Sequence, residues 1–380
     1  MLVILCTLVG NSCGQSNNRF QHLDDDIGAM STCIHMMQDS YGYIWASTLS
    51  GITRYDGDSY RHYIKSDSID GLPAIFAYCS FEDKYHNIWV ALYDYGLVVL
   101  NRDSDTFQWI KSDTLNPNGL HLSKIKTISS DSNDRIYFLG EDGLQRVALP
   151  QESYDHLNFE SQSEFIPSID EKITGLSLLN DSRGTFWIGT KKGFYTIDKD
   201  DNLKNPVSEN GLTHSVTHSI LEDSKGDICI VRGEQHFLKF NAKTQMYEHN
   251  TKVVFPNQSM LSVIDHEDFL WTFIRPGKVY KYDIKKSNLT KIKPYELPYN
   301  ISGSYFRNPL VSKEGTVWLA GNGSFPFQHQ PKTNKEIKPI IYDNSRMKTS
   351  SCVYVDEEHI YIGQLIDGGI KIIDKKTGAI

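Results

Sequence analysis

Few side chains in this chain are spaced for covalent chemistry. His214-x-x-x-His218 has the separation of two metal ligands on one helical turn. It lies, however, in a segment that alternates as a strand entry, so the pair reads as structural. Asp24-Asp25-Asp26 reads as a solvated acidic turn. Asp131-Ser-Asn-Asp134 resembles part of a calcium loop but falls where other parts of the chain carry a hairpin turn. No phosphate loop, Gly-x-Ser-x-Gly or His-Glu-x-x-His pattern occurs. Six cysteines are present; Cys33, Cys79, Cys229 and Cys352 are scattered through apolar runs without a C-x-x-C pair, which points to core positions and not to zinc. No metal and no cofactor are expected.

The residues better suited to chemistry are those of binding. Short loops carry Leu49 and Ser50, Tyr93 and Tyr95, Glu141 and Asp142, Lys191 and Lys192, then Gln235, Arg275, Asn322 and Asp367. This polar and aromatic mixture suits hydrogen bonding and stacking against a sugar. It lacks the arginine cluster and paired carboxylates that glycoside hydrolysis of the sialidase type requires. The expected ligand-binding residues are Tyr93, Tyr95, Arg275, Asn322, Lys191, Gln235 and Asp367; no catalytic residue is expected. A sialidase-like glycoside hydrolase and a protein-interaction propeller remain as alternatives. Asn257, Asn288, Asn300 and Asn322 head glycan-acceptor triplets that mean little in a bacterium.

The elements that must hold these loops come from an internal repeat. Asp39-Ser-Tyr-Gly-Tyr-Ile-Trp45 leads through Thr48 to Gly51-Ile-Thr-Arg-Tyr-Asp56; Asp181-Ser-Arg-Gly-Thr-Phe-Trp187 leads through Thr190 to Gly193-Phe-Tyr-Thr-Ile-Asp198. Further copies centre on Trp89, Tyr137, Cys229, Trp271, Trp318 and Tyr361, at steps of 44, 48, 50, 42, 42, 47 and 43 residues. One step is one propeller blade. Within each unit, an apolar first strand such as 125–128 or 216–220 precedes a hairpin closed by Asp-x-x-Gly. A second strand carries the aromatic anchor, Gly51, Gly96, Gly143 or Gly193 opens a third, and a fourth follows, as at 106–110. Trp45, Trp89, Trp187, Trp271 and Trp318 share one slot and should fill the wedge between blades; Trp109 is off-slot. No segment shows a convincing helical period. The fold class is therefore all-β, a β-propeller of four-stranded antiparallel blades.

The chain length of 380 residues suits such an array, and 39% hydrophobic residues suffice for its core. A net charge of −8 gives no basic footprint, so nucleic acid is not an expected partner. Met1 to Gly14 is an apolar run followed by small residues, read as a signal peptide over 1–16, with Cys13 as an alternative lipid-anchoring site. Residues 20–23 resemble a fourth strand without its first three and would close a ring. Two closures follow: one eight-bladed ring, or seven blades over 17–342 followed by the first blade of a second propeller over 343–380.

The run Asp-x-x-Gly-x-Ile-Trp-x-x-Thr-x-x-Gly-Ile-x-x-Tyr-Asp at 39–56, and the phrase Asn210-Gly-Leu-Thr-His-Ser-Val216, resemble the two-component regulator propeller repeat. The likeness is strong at 30–60 and 175–200 and degraded elsewhere; the units near 131–147, 229–240 and 353–374 lack the Trp. This resemblance implies the periplasmic sensor region of a Bacteroidetes hybrid two-component system. Such a region has two seven-bladed propellers, which favours seven blades plus a fragment here. It also implies an oligosaccharide ligand, a homodimer formed through the full-length protein, and a C-terminal membrane helix and histidine kinase absent from this chain.

Overall fold

The computed structural model describes residues 21–22, 33–56, 59–68, 71–141, 143–149, 154, 157–161, 175–209, 215–233, 237–250, 260–274, 278–285, 290–292, 306–321, 324–329, 350–355, 359–364 and 370–374. The predicted signal segment 1–16 and Asp24 to Asp26 lie outside them. The contacts divide the chain into two compact units, Asn18–Pro331 and a second comprising Met1–Asn17 with Lys332–Ile380.

The larger unit is an all-β propeller. Among the described residues it holds seven four-stranded antiparallel sheets. The first contains Cys33–Gln38, Ile44–Thr48, Gly51–Tyr55 and Tyr60–Tyr63. Five more follow over 77–110, 125–161, 175–204, 217–250 and 260–292. The seventh has three consecutive strands, Phe306–Val311, Val317–Gly321 and Ser324–His329, and takes its outer strand from Gln21–His22. There Gln21 pairs with Gln328 and His22 with Phe327. The N-terminal strand anticipated at 20–23 thus completes this sheet, not the 350–374 unit. Each first strand lies beside the first strand of the next sheet, and Phe306–Val311 returns to Cys33–Gln38. The only helix among the described residues is Pro206–Glu209.

The recurring slot works as the wedge the sequence required. Trp45 packs on Ile88, Val90, Val98 and Leu100 of the next sheet. Trp89 packs on Ile136 and Phe138, and Trp187 on Ile228, Ile230 and Leu238. Trp318 packs on Ile44 and Ala46 of the first sheet, which closes the apolar seam. All five slot tryptophans are at most 6% exposed. Where the slot holds the smaller Cys229, Tyr280 and Tyr282 of the following sheet fill the space.

The hairpin turns explain the Asp of the motif. Asp181 Oδ1 accepts from the amides of Arg183 and Thr185, and its Oδ2 accepts Trp187 Nε1–H at 2.9 Å. Asp39, Asp83 and Asp265 hold Trp45, Trp89 and Trp271 in the same way, at 2.6, 2.8 and 2.7 Å. Asp131 does the same for the Tyr137 hydroxyl at 3.3 Å, so this segment is a turn of the repeat. The motif's positive-φ Gly is not obligatory: His86, Asp134 and Asp268 occupy that conformation at φ 66, 59 and 60.

In the second unit the described residues form a three-stranded antiparallel sheet: Ser350–Val355, His359–Gln364 and Ile370–Asp374.

Candidate functional site

Five of the first strands in the ring, from the first sheet to the fifth, carry a register shift at their second residue: Cys33/His35, Ala77/Cys79, Ile125/Thr127, Gly175/Ser177 and Thr217/Ser219. Such bulges twist a strand and re-aim its side chains. They lie at the end of the ring from which the loops between second and third strands project. The expected loop residues of the second and fourth sheets therefore stand beside the bulged starts of the first strands.

In the second sheet the loop 93–95 is pinned by its backbone. The Tyr93 amide donates to the Phe76 carbonyl at 3.0 Å and the Asp94 amide to the Ser123 carbonyl at 3.0 Å. Asp94 itself takes φ 60. Gly96 follows at φ 89, where a Cβ would stand 2.5 Å from the Ile110 carbonyl oxygen, so only glycine fits.

These constraints build an aromatic stack. The Tyr93 ring lies on Phe76 at 5.0 Å and 13°, and Phe76 lies on Tyr78 at 5.9 Å and 26°. Tyr78 is the bulged residue of its strand. At the far end, Lys124 Nζ stands 5.6 Å from the Tyr93 ring centre. Beside this stack, Tyr95 meets Trp109 at 6.2 Å, and Trp109 Nε1–H donates to the Tyr95 carbonyl at 2.8 Å. Lys111 Nζ lies 4.3 Å over the Trp109 ring. Tyr95 and Trp109 are 47% and 39% exposed.

Charge converges next to the rings. Glu141 is 2.8 Å from Lys126 Nζ and 3.9 Å from Lys124 Nζ. The hydrogen bond and charge of Lys126 hold the Glu141 carboxyl below its ordinary range, with Lys124 and Lys191 adding to the effect. Tyr93, Asp94 and Glu141 in turn push the Lys124 ammonium up.

Of the residues anticipated for binding, Tyr93, Tyr95 and Lys191 thus stand on one end of the ring, around sheets two to four. Gln235, Arg275, Asn322 and Asp367 lie outside the described residues, as does His214. The sequence reading missed Phe76, Tyr78, Lys111, Lys124 and Lys126. The alternation Phe76-Ala-Tyr78 ahead of a first strand was the available signal; the partnership of Phe76 with Tyr93 spans a whole hairpin and has none.

The same fold occurs in solved bacterial proteins. The extracellular domain of a hybrid two-component system from B. thetaiotaomicron superimposes with a TM-score of 0.65, covering 94% of this chain and 48% of that one at 19% identity. The extracellular domain of a one-component system from the same organism gives 0.64, covering 92% and 45% at 17% identity. The chain shares the fold of these ectodomains. It spans about half their length, and 15% of the Formosa agariphila histidine kinase P4, to which it is 24% identical over 217 residues or 54% of its own length. Virginiamycin B lyase of Staphylococcus aureus also shares the propeller fold, with a TM-score of 0.59 at 13% identity, covering 81% of this chain and 97% of the lyase. No protein-family model matches.

Proposed function

We propose that this chain is the ligand-sensing, extracytoplasmic propeller of a hybrid two-component sensor. It binds oligosaccharides at the end of the ring that carries Tyr93 and Tyr95. A histidine kinase outside this chain carries phosphoryl transfer, and the full-length protein acts as a membrane-anchored, periplasmic homodimer. The observation that carries this reading is the pinned aromatic group Tyr78, Phe76, Tyr93, Tyr95 and Trp109 with ammonium and carboxylate groups beside it. Rigid aromatic faces flanked by a few fixed polar groups are the ordinary make-up of a sugar site. The shared fold with bacterial sensor ectodomains supports the same role.

The signal segment belongs to 1–16, the seven-bladed ring to 17–342, and the first blade of a second propeller to 343–380. The three-stranded sheet of 350–374 supports the last assignment, because its first strand carries a register shift between Ser350 and Cys352 at the position seen in the ring. The outer strand supplied by Gln21–His22 supports a ring of seven rather than eight. Ligand binding then biases a dimer between two signalling arrangements, by no more than its difference in affinity for them.

Hydrolysis is the weaker reading. Glu141, kept ionised by Lys126, is in the wrong state for a general acid, which needs a raised pKa. Calorimetric screening of the chain against oligosaccharides tests the proposal. Binding that weakens at least about tenfold in Tyr93→Ala supports it, since loss of one stacked ring removes about 1.5 kcal/mol or more. Tight binding to a folded protein with silence towards every sugar overturns it, as does turnover of a chromogenic glycoside.

A further inference from the structure

We infer that the oligosaccharide recognised at this end of the ring is acidic, carrying carboxylate or sulfate groups. This inference rests on the reading above and adds the charge of the ligand to it. Each aromatic group of the site is paired with an ammonium. Lys124 caps the stack of Tyr78, Phe76 and Tyr93, and Lys111 lies over Trp109 beside Tyr95. Lys126 from the third sheet and Lys191 from the fourth add two further ammoniums around Glu141.

Among the described residues, Lys124, Lys126 and Lys191 surround the Glu141 carboxylate, Lys124 also meets that of Asp94, and Lys111 lies over Trp109, four ammonium groups to these two carboxylates. Asp113, in the neighbouring linker, is turned to cap the Leu115 amide at 3.0 Å. The surplus is notable because the whole chain is net negative, at −8. A local positive surplus on an acidic protein attracts anions selectively. The spacing of the groups decides what kind of anion. An inorganic anion needs only the ammoniums, whereas here Lys124 and Lys111 stand over aromatic rings, with Lys126 and Lys191 around Glu141. A sugar ring carrying a carboxylate or sulfate presents both partners at once: an apolar face for Tyr93 or Trp109 and a negative substituent for Lys124, Lys111 or Lys191. Glu141 holds Lys124 and Lys126 at the edge of the stack, so the ammoniums are positioned before the ligand arrives.

The test is calorimetric titration of the whole chain with three probes of equal length: a galacturonic acid tetrasaccharide, a sulfated galactan tetrasaccharide and a neutral galactan tetrasaccharide. One or both acidic probes should bind at least about tenfold tighter than the neutral one at low salt, and lose most of that margin at high salt where exposed charges are screened. Lys124→Ala and Lys191→Ala should each weaken the acidic probe several-fold without moving the thermal midpoint. Lys84→Ala, at the opposite end of the ring, should change nothing. Equal or tighter binding of the neutral probe overturns the inference and leaves the sensor reading standing. Salt-sensitive binding indifferent to both site variants overturns the assignment to this face. Absence of binding by all three overturns the inference, and the oligosaccharide reading falls with it only if the wider screen is silent as well. Carboxylate and sulfate are told apart by which acidic probe prevails.

Discussion

Asp181 shows how one residue organises a blade. It is 4% exposed; one oxygen closes the hairpin through two backbone amides and the other anchors the indole of Trp187. The same arrangement recurs in the hairpins of Asp39, Asp83, Asp131 and Asp265, each six residues before its aromatic donor, and two hairpins depart from it. Cys229 replaces the aromatic, so Asp223 turns its second oxygen to Lys239 Nζ at 2.9 Å. That lysine is itself held by Asp227 at 3.0 Å. Ser312 replaces the aspartate, and the buried Trp318 Nε1–H is left without an acceptor among the described residues. A buried donor without a partner costs about 1–3 kcal/mol. Asp181→Ala should destabilise the chain by roughly 3 kcal/mol in denaturant unfolding, because it strands several donors at once. Ser312→Asp should stabilise it by about 1 kcal/mol, because the new carboxylate can accept both the Thr316 amide, now bonded to Ser312 Oγ at 3.2 Å, and the Trp318 indole. The spacing of Asp and Trp was legible from the sequence as a turn followed by a wedge. The bond between them was not, because a spacing of six says nothing of which way an indole nitrogen points.

Between elements, adjoining sheets are joined at both ends of their first strands. Ser40 donates through its amide and hydroxyl to Glu82 at the end of the next first strand, at 2.6 and 2.7 Å, and Ser224 likewise to Asp268 in the next hairpin turn, at 2.9 and 2.6 Å. At the bulged end, Ser177 Oγ accepts from the Ile220 amide at 3.2 Å, and Ser219 Oγ from the Ser262 amide at 3.1 Å. The first sheet makes that stitch with a histidine: His35 Nδ1 accepts from the Ser80 amide at 3.3 Å. An acceptor must be unprotonated, and burial lowers the His35 pKa from its usual 6.5 to about 4. The unfolded chain therefore binds a proton below pH 6.5 that the folded chain refuses until about pH 4. Stability from this group is complete above pH 6.5 and falls as the pH drops towards 4. The loss should be on the order of 2 kcal/mol. In His35→Ser, which restores the acceptor used elsewhere, that part of the pH dependence of the thermal midpoint should vanish. A slope unchanged in the variant would refute the assignment. The repeat disclosed that Ser follows Asp in four turns, yet not that the hydroxyl reaches into the next blade. Sequence periodicity reports what one unit does to itself, whereas such contacts, like that of Phe76 with Tyr93, join units.

At the scale of the whole ring, seven sheets leave one place where the chain must meet itself. The Trp318 seam on Ile44 and Ala46 is apolar and strong, but the outer edge of the seventh sheet is covered by the short pairing of Gln21 and His22 with Gln328 and Phe327. An uncovered strand edge offers unpaired backbone groups to any neighbour. The ring should therefore depend on its N-terminal strand out of proportion to the four residues paired there. Removal of residues 1–23 leaves every tryptophan wedge in place and bares the edge of Ser324–His329. The truncated chain should unfold several degrees lower, since about 1 kcal/mol corresponds to roughly 2–4 °C for a domain of this class. It should also self-associate with rising concentration, as light scattering would report, because edge pairing between two copies replaces the lost strand. If instead the truncated chain stays monomeric with an unshifted midpoint, closure rests on the Trp318 seam alone, and the N-terminal strand is an ornament of the seventh sheet rather than its latch.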